Sequence, residues 1–219
     1  METNWKRKEE IGDCVLYLGD CLDILPALNK VDLCLTDPPY GINIASNPVR
    51  QKHEKKAWDK AAASNEAIQA IISCSKEQII WGGNYFPLPP SRGYLIWDKK
   101  QPENFSLAMC EMAWWSKDTN AKIYSRSVLG YEKNHPTQKP VQLMEWCLSF
   151  VPSAKIVIDP FMGSGTTGVA CVKAGRAFIG VEIDEEYFET ACKRIREAYA
   201  QPDMFIEPAT VPEQVGMDL

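Results

Sequence analysis

Lys155-Ile-Val-Ile-Asp-Pro-Phe-Met-Gly-Ser-Gly-Thr-Thr-Gly168 is the stretch that decides the fold. Residues 155–158 form a short apolar run rich in β-branched side chains and read as a buried strand. Gly163, Gly165 and Gly168 follow as GxGxxG and lead into a helical segment over residues 166–173. Without a Cβ, these glycines permit a tight turn and let the N–H groups at the helix start approach a ligand. The next apolar run, residues 177–181, ends at Glu182, which lies 19 residues beyond Gly163 and 17 beyond Gly165. A carboxylate at that place can accept both hydroxyls of a ribose. The unit lacks the lysine of a phosphate-binding P-loop. It predicts a site for an adenosine-containing ligand; the plainer alternative is a glycine turn that only packs a helix on a strand.

The same alternation extends outward. Cys14–Leu18 and Val31–Thr36 read as strands, residues 65–74 as a helix, and residues 78–81 as a buried strand. Further strands are expected over residues 93–97, 108–115 and 122–124. A helix is expected over 141–150, entered from Pro140, and another over 185–199. Short apolar strands alternating with helices predict an α/β fold: a single Rossmann-like domain with a mostly parallel sheet and helices on both faces. We expect residues 1–200 to form this domain, with a mobile loop over 41–63, and residues 201–219 to form an acidic, Pro-containing C-terminal tail. Of the adjacent Trp114 and Trp115, one is expected in the core and the other facing out.

Composition narrows the class. The 219 residues are 45% hydrophobic and 24% charged, as in an ordinary soluble globular protein. No apolar run approaches the roughly 20 residues needed to cross a bilayer. Basic residues near the N-terminus lead into Glu9 and Glu10, unlike a secretory signal. The eight cysteines include no CxxC pair, and most, such as Cys34, Cys110, Cys147 and Cys171, fall in apolar segments. They read as reduced core thiols in a cytoplasmic protein, with no metal site. The net charge of −5 conceals an asymmetry, because residues 181–219 carry −7 and the remainder +2. Residues 50–60 are locally basic, with Arg50, Lys52, Lys55, Lys56 and Lys60 against Glu54 and Asp59. Such a strip can engage phosphates or simply be a solvated loop.

Two features favour S-adenosylmethionine over a dinucleotide. Only 37 residues follow Glu182, so most of the sheet must come from residues before the glycine motif, whereas a dinucleotide domain begins with that motif and builds onward. Asp159, at the strand end just before the glycines, would repel a pyrophosphate and attract an ammonium group. A second motif, Asp37-Pro38-Pro39-Tyr40, directly follows the strand Val31–Thr36. Its two prolines stiffen the backbone and leave carbonyls without a local N–H. Asp37 and the Pro38 carbonyl can accept the two hydrogens of an exocyclic amine while Tyr40 stacks on the ring that bears it. The plainer reading is a Pro-rich turn with a half-buried tyrosine.

Asp37-Pro38-Pro39-Tyr40 resembles the signature of amino-methyltransferases that act on DNA bases, most often at adenine N6. Its place before the glycine motif is similar to the circularly permuted β class of those enzymes. His135-Pro136-Thr137-Gln138-Lys139-Pro140 and Gly19-Asp20-Cys21-Leu22-Asp23-Ile24-Leu25 resemble two more motifs of that class, so the likeness spans residues 14 to about 190. The resemblance implies a permuted S-adenosylmethionine-dependent methyltransferase fold, with DNA as partner, no membrane association, and room for a homodimer. It implies catalysis by Asp37, Pro38, Pro39 and Tyr40 on a flipped base, by direct transfer with no covalent intermediate. Around the cofactor it implies Asp37, Asp159, Phe161, Gly163, Ser164, Gly165 and Thr166 at the methionine part and Glu182 on the ribose. Asp20, Cys21 and Ile183 would flank the adenine, and His135, Thr137, Gln138 and Lys139 would wall the pocket. Asp at the head of the signature goes mostly with adenine, and N4 of cytosine is the alternative. No large insertion is present for reading a long recognition site. A short or degenerate target is therefore expected, contacted by Arg50, Lys52, Lys55 and Lys56, with Lys99, Lys100 and Lys133 as further candidates. A methyltransferase of RNA or protein amino groups and a non-catalytic binding module are the rival readings.

Overall fold

A computed structural model describes residues 5–41, 62–101, 108–127 and 139–201. Nine strands among the described residues form one sheet. In chain order they are β1 (Arg7–Ile11), β2 (Cys14–Leu18), β3 (Val31–Thr36), β4 (Ser75–Trp81), β5 (Tyr94–Asp98), β6 (Cys110–Trp115), β7 (Lys122–Ser125), β8 (Ile156–Asp159) and β9 (Ala177–Glu182). The helices are α1 (Cys21–Ile24), α2 (Asn65–Ser73), α3 (Val141–Ser149), α4 (Thr166–Lys173) and α5 (Glu185–Ala200). Across the sheet the strands run β1-β2-β9-β8-β3-β4-β6-β5-β7. The central β2, β9, β8, β3 and β4 are mutually parallel. β1 pairs antiparallel with β2, and β6 lies antiparallel between β4 and β5.

The strand sequences explain why both faces are covered. Alternate residues point to opposite sides of a strand, and here both sets are apolar. Leu33, Leu35, Ile79, Trp81 and Val157 pack with Leu143, Met144 and Phe188 of α3 and α5. Cys34, Ile80 and Ile158 pack with Ile24, Ile68 and Ile71 of α1 and α2 on the other side. At roughly 1.5–3 kcal/mol for each large apolar side chain buried, these two layers are the main stabilising contribution. α2 and α5 begin where side chains cap them. Ser64 Oγ accepts from Ala67 N–H at 3.1 Å at the start of α2, and Asp184 Oδ1 accepts from Glu186 and Tyr187 N–H at 3.0 and 3.1 Å at the start of α5. This is the mostly parallel α/β sheet, covered on both faces, expected from the alternation.

Several details differ from the expectation. β1 escaped prediction because Arg7-Lys8-Glu9-Glu10 has no apolar member. It is a charged edge strand, and charge is a common way to protect a sheet edge. Ion pairs of Arg7 with Glu189 and of Arg196 with Glu9 tie it to α5. Trp114 and Trp115 are both buried, at 4% and 3% exposure, since the sheet is covered on both faces at that point. Cys110 is exposed at the start of β6 and is not a core thiol, whereas Cys14, Cys21, Cys34, Cys147, Cys171 and Cys192 are buried. No helix among the described residues is long and apolar enough to cross a membrane.

The sheet also fixes where a site can form. From β8 the chain passes through α4 to β9 on one side, while β3 connects to β4 on the other. The direction of winding therefore reverses between β8 and β3, and ligands of open α/β sheets bind outside the carboxyl ends of the strands at such a reversal. Asp37, Asp159 and Glu182 stand at those ends.

Candidate active site

Asp159 ends β8 and is 3% exposed. Its Oδ1 accepts from the Thr36 hydroxyl at 2.7 Å and from Phe161 N–H at 3.1 Å, and its Oδ2 accepts from the Thr167 hydroxyl at 2.7 Å. One carboxylate thus fastens the end of β3, the turn after β8 and the first turn of α4. Burial raises its pKa to about 6, against the opposing effect of those three donors.

The three glycines of the turn have different jobs. Gly163 has φ +51°, and a Cβ built on it meets nothing within 4 Å. Gly165 has φ +77°, and its Cβ would lie 2.9 Å from Ala191 Cβ and 3.0 Å from Ala191 Cα. A Cβ at Gly168 would meet Ile195 Cδ1 at 2.6 Å and Phe178 Cε1 at 2.8 Å. Only Gly163 opens onto free space; Gly165 and Gly168 let α4 sit close against α5 and β9. Arg194 of α5 braces the same turn, its guanidinium donating to the Ser164 carbonyl at 2.5 Å, Ser164 Oγ at 2.9 Å and Thr166 Oγ1 at 3.2 Å.

Glu182 closes β9. Its Oε2 accepts from Gly163 N–H at 2.9 Å, and its Oε1 accepts from Ile183 and Asp184 N–H at 2.9 and 2.8 Å. Burial outweighs these donors and raises its pKa to about 7.

Two adjoining hollows meet at Phe161, Glu182 and Ile183. One, of about 170 Å³, is lined by Asp37, Pro39, Lys139, Asp159, Gly163, Ser164 and Thr166, together with Met144, Met162, Thr167 and Tyr187. The other, of about 200 Å³, is lined by Gly19, Asp20, Cys21, Leu22, Pro160 and the Ala63–Ser64 start of α2 with Ala67. The structure therefore brings together Asp20, Cys21, Asp37, Lys139, Asp159, Phe161, Gly163, Ser164, Thr166, Glu182 and Ile183 around one elongated space. Gly165 does not line it. His135, Thr137 and Gln138 lie outside the described residues, as do Arg50, Lys52, Lys55, Lys56 and Lys133.

Asp37 follows β3 at the rim of the first hollow. Tyr40 donates its hydroxyl hydrogen to Asp37 Oδ1, and Lys139 Nζ donates to Asp37 Oδ2. Lys139 Nζ also lies 3.3 Å from the Tyr40 hydroxyl and 3.3 Å from Glu111 Oε2. Lys99 Nζ reaches Glu111 Oε1 at 2.5 Å. Burial raises the Asp37 carboxyl above its ordinary range, partly opposed by the Lys139 ammonium. Burial alone would lower Lys139, but Asp37 and Glu111 together hold it above its ordinary value. Burial alone would raise Glu111, yet Lys139 and Lys99 bring it down to about 2. The Pro39 carbonyl accepts from Ala63 N–H at 2.9 Å, whereas no donor among the described residues reaches the Pro38 carbonyl.

Tyr40 is enclosed more than the sequence suggests. Tyr85 stacks on it, with ring centroids 5.0 Å apart and planes 17° from parallel. Gly82 (φ +68°) packs so closely against it that a Cβ would fall 2.1 Å from Tyr40 Cε1. Tyr85, 49% exposed, presents its ring at the surface over Tyr40. Lys99, a candidate contact to nucleic acid, is 6% exposed and tied to Glu111. Its ammonium also lies 5.5 Å from the centre of the Trp97 ring of β5, which makes it an interior charge, so that expectation is corrected. Glu111 and Tyr85 carried no local signal in the sequence.

Residues 97–193 match the model of the DNA methylase family N6_N4_Mtase. The chain is 28% identical over 238 residues to the type II methyltransferase M2.MboI of Moraxella bovis, covering 83% of this chain and 87% of that one. It is 40% identical over 139 residues to the type II methyltransferase M2.DpnII of Streptococcus pneumoniae, covering 63% of this chain and 48% of that one. Among solved structures, the M1.HpyAVI–SAM complex superimposes with a TM-score of 0.57 at 25% identity, covering 83% of this chain and 98% of that one. The sheet is that of S-adenosylmethionine-dependent methyltransferases, and the sequence is related to those that methylate DNA.

Proposed function

We propose that this protein is a S-adenosylmethionine-dependent DNA methyltransferase of the permuted β class that methylates an exocyclic base nitrogen. The base is adenine N6, with cytosine N4 as the alternative, in a short or degenerate target. The observation that carries the reading is the meeting of Asp37 with the paired hollows at the point where the sheet reverses its winding. The hollows suit an elongated ligand with a charged end and an aromatic end. One is rimmed by carboxylates and by the open Gly163 turn, the other by Cys21, Leu22, Phe161 and Ile183. When bound, S-adenosylmethionine supplies an electrophilic methyl carbon on a positively charged sulfur.

The chain's own residues would act on the acceptor. Asp37 and the Pro38 carbonyl take the two N–H hydrogens of the amine, which favours a tetrahedral nitrogen and stabilises the positive charge that develops there. The nitrogen lone pair forms the new N–C bond while the C–S electron pair stays on sulfur. The cationic methylamine then gives up one proton, for which Asp37 is the adjoining carboxylate. A base in duplex DNA must first leave the stack at a cost of a few kcal/mol. Because Tyr85 already covers Tyr40, the base replaces Tyr85 or stacks on its exposed face. The same reading makes DNA the partner and the cytoplasm the location, keeps a homodimer open to measurement, and gives Arg50, Lys52, Lys55 and Lys56 phosphate contacts. His135, Thr137 and Gln138 join the cofactor wall.

The test is incubation with methyl-labelled S-adenosylmethionine and unmethylated duplex DNA, then digestion to nucleosides and mass spectrometry. N6-methyladenine is expected. N4-methylcytosine would keep the mechanism and change the base. Absence of both, with the cofactor bound, would refute the function. Asp37→Ala is expected to bind the cofactor and transfer nothing.

A further inference from the structure

Behind the proposed acceptor for the amine lies a chain of alternating charges, its lysines buried and its carboxylates half-buried: Asp37, Lys139, Glu111 and Lys99. They come from the end of β3, the run before α3, β6 and the residue after β5, and each touches the next: Asp37 with Lys139, Lys139 with Glu111, and Glu111 with Lys99. The side chains of Lys139 and Lys99 are only 4% and 8% exposed. The Lys139 ammonium also lies 5.2 Å from the centre of the Trp81 ring and 5.8 Å from that of Tyr40. Removing an ammonium from water costs several kcal/mol, and apolar side chains of like size often stabilise a fold better than a buried ion pair. A network of this kind is therefore a poor device for stability alone. It touches the one carboxylate that the transfer needs, and it leaves that carboxylate with a competitor: Asp37 Oδ2, an acceptor required by the target amine, already accepts from Lys139.

Resting on the methyltransferase reading, we propose that Lys139 is a positioning residue for the transfer. Its ammonium favours the charged form of Asp37 and holds the amine's place, and Glu111, steadied by Lys99, is the second berth to which it withdraws when the amine arrives. The berth is built: Lys139 Nζ is already 3.3 Å from Glu111 Oε2, so a small rotation of a four-carbon side chain exchanges one carboxylate for the other. Among the described residues the charged and titratable groups facing Asp37 are Lys139, Glu111, Tyr40 and Asp159. Of these only Lys139 is positive, so the two sides of the berth must act on Asp37 with opposite sign. An opposite charge at this range moves a carboxyl pKa by about 1–3 units.

The test is single-turnover transfer of labelled methyl to duplex DNA as a function of pH, with the cofactor dissociation constant measured in parallel. Lys139→Met is expected to move the acid limb to higher pH by about one unit or more, and Lys139→Arg to restore it. Glu111→Gln is expected to move the limb to lower pH and to slow transfer at least tenfold on the plateau, since the ammonium then stays on Asp37. Cofactor affinity is expected to stay within a few-fold in Glu111→Gln, and Lys139→Met, whose side chain also lines the first hollow, is assayed at saturating cofactor. Opposite shifts are the signature; a residue with a merely structural role lowers activity without moving the limb. Limbs that stay in place, or move in the same direction, overturn the proposal. Should Lys139→Met fail to fold, the sign of the Glu111→Gln shift decides. A wild-type protein that binds cofactor and methylates nothing would instead refute the function on which the proposal rests.

Discussion

Substituting alanine at Gly163 and, separately, at Gly165 distinguishes the two jobs that the glycine turn combines. Both residues have left-handed φ values, +51° and +77°, and such a conformation costs a non-glycine residue roughly 1–2 kcal/mol. At Gly163 that is the whole structural penalty, because the new methyl meets nothing within 4 Å. At Gly165 the methyl lies 3.0 Å from Ala191 Cα, a backbone atom that cannot rotate away, so overpacking adds about 1–3 kcal/mol. For a chain of this size 1 kcal/mol moves Tm by about 2–4 °C. Gly163→Ala is thus expected to lower Tm by roughly 2–8 °C, and Gly165→Ala by roughly 4–20 °C. Cofactor affinity should rank the other way. Gly163→Ala projects into the space where a ligand would approach the backbone and weakens S-adenosylmethionine binding by about tenfold or more, while folded Gly165→Ala binds it within a few-fold of wild type. Differential scanning fluorimetry with and without cofactor, followed by calorimetric titration, reads both quantities. Equal losses of Tm, or wild-type affinity in Gly163→Ala, would refute this division of labour.

Further expectations follow from other contacts. Arg194→Met removes a partly buried cation that donates to Ser164 and Thr166; loss of hydrogen bonds to a charged group should cost about 1.5–3 kcal/mol, read by urea denaturation. Tyr85→Ala should raise KM for DNA several-fold with a smaller change in kcat, since its exposed ring stacks on Tyr40 of the same motif as Asp37; an unchanged KM would remove Tyr85 from the base-binding surface. Glu182 titrates at about 7 in the folded protein, above the ordinary 4.5. The native state therefore keeps a proton that the unfolded chain releases, and this contribution to stability, complete below about pH 4.5, is lost as pH rises to about 7. Glu182→Gln should flatten part of that decline in a pH series of thermal melts of the cofactor-free protein, and an unaltered slope would contradict it.

What could be read from the sequence, and what could not, divides along local and non-local lines. The run from Lys155 to Glu182 is legible because each signal is contiguous: an apolar strand, glycines in a turn, a helix, a second strand and an acid. Asp37-Pro38-Pro39-Tyr40 is legible for the same reason. The Lys139–Glu111–Lys99 network is not, because its members come from three separate elements, and although Lys139 belongs to the His135–Pro140 motif nothing local pairs it with Glu111. β1 was missed because an edge strand needs no buried face, and Trp114 and Trp115 were assigned opposite surroundings because alternation implies one wet face only where a sheet has one. The different duties of Gly163, Gly165 and Gly168 depend on α5, which approaches the turn from about 25 residues further along the chain.

The staple made by Asp159 has a consequence for how such a protein changes over time. Thr36 adjoins Asp37, and Thr167 lies in the first turn of α4, so one buried carboxylate sets the spacing between the two halves of the reaction centre. That spacing is written into the interior of the sheet. Surface segments are then free to be exchanged, lengthened or recharged, and a lineage can alter which DNA it reads while inheriting the chemistry intact.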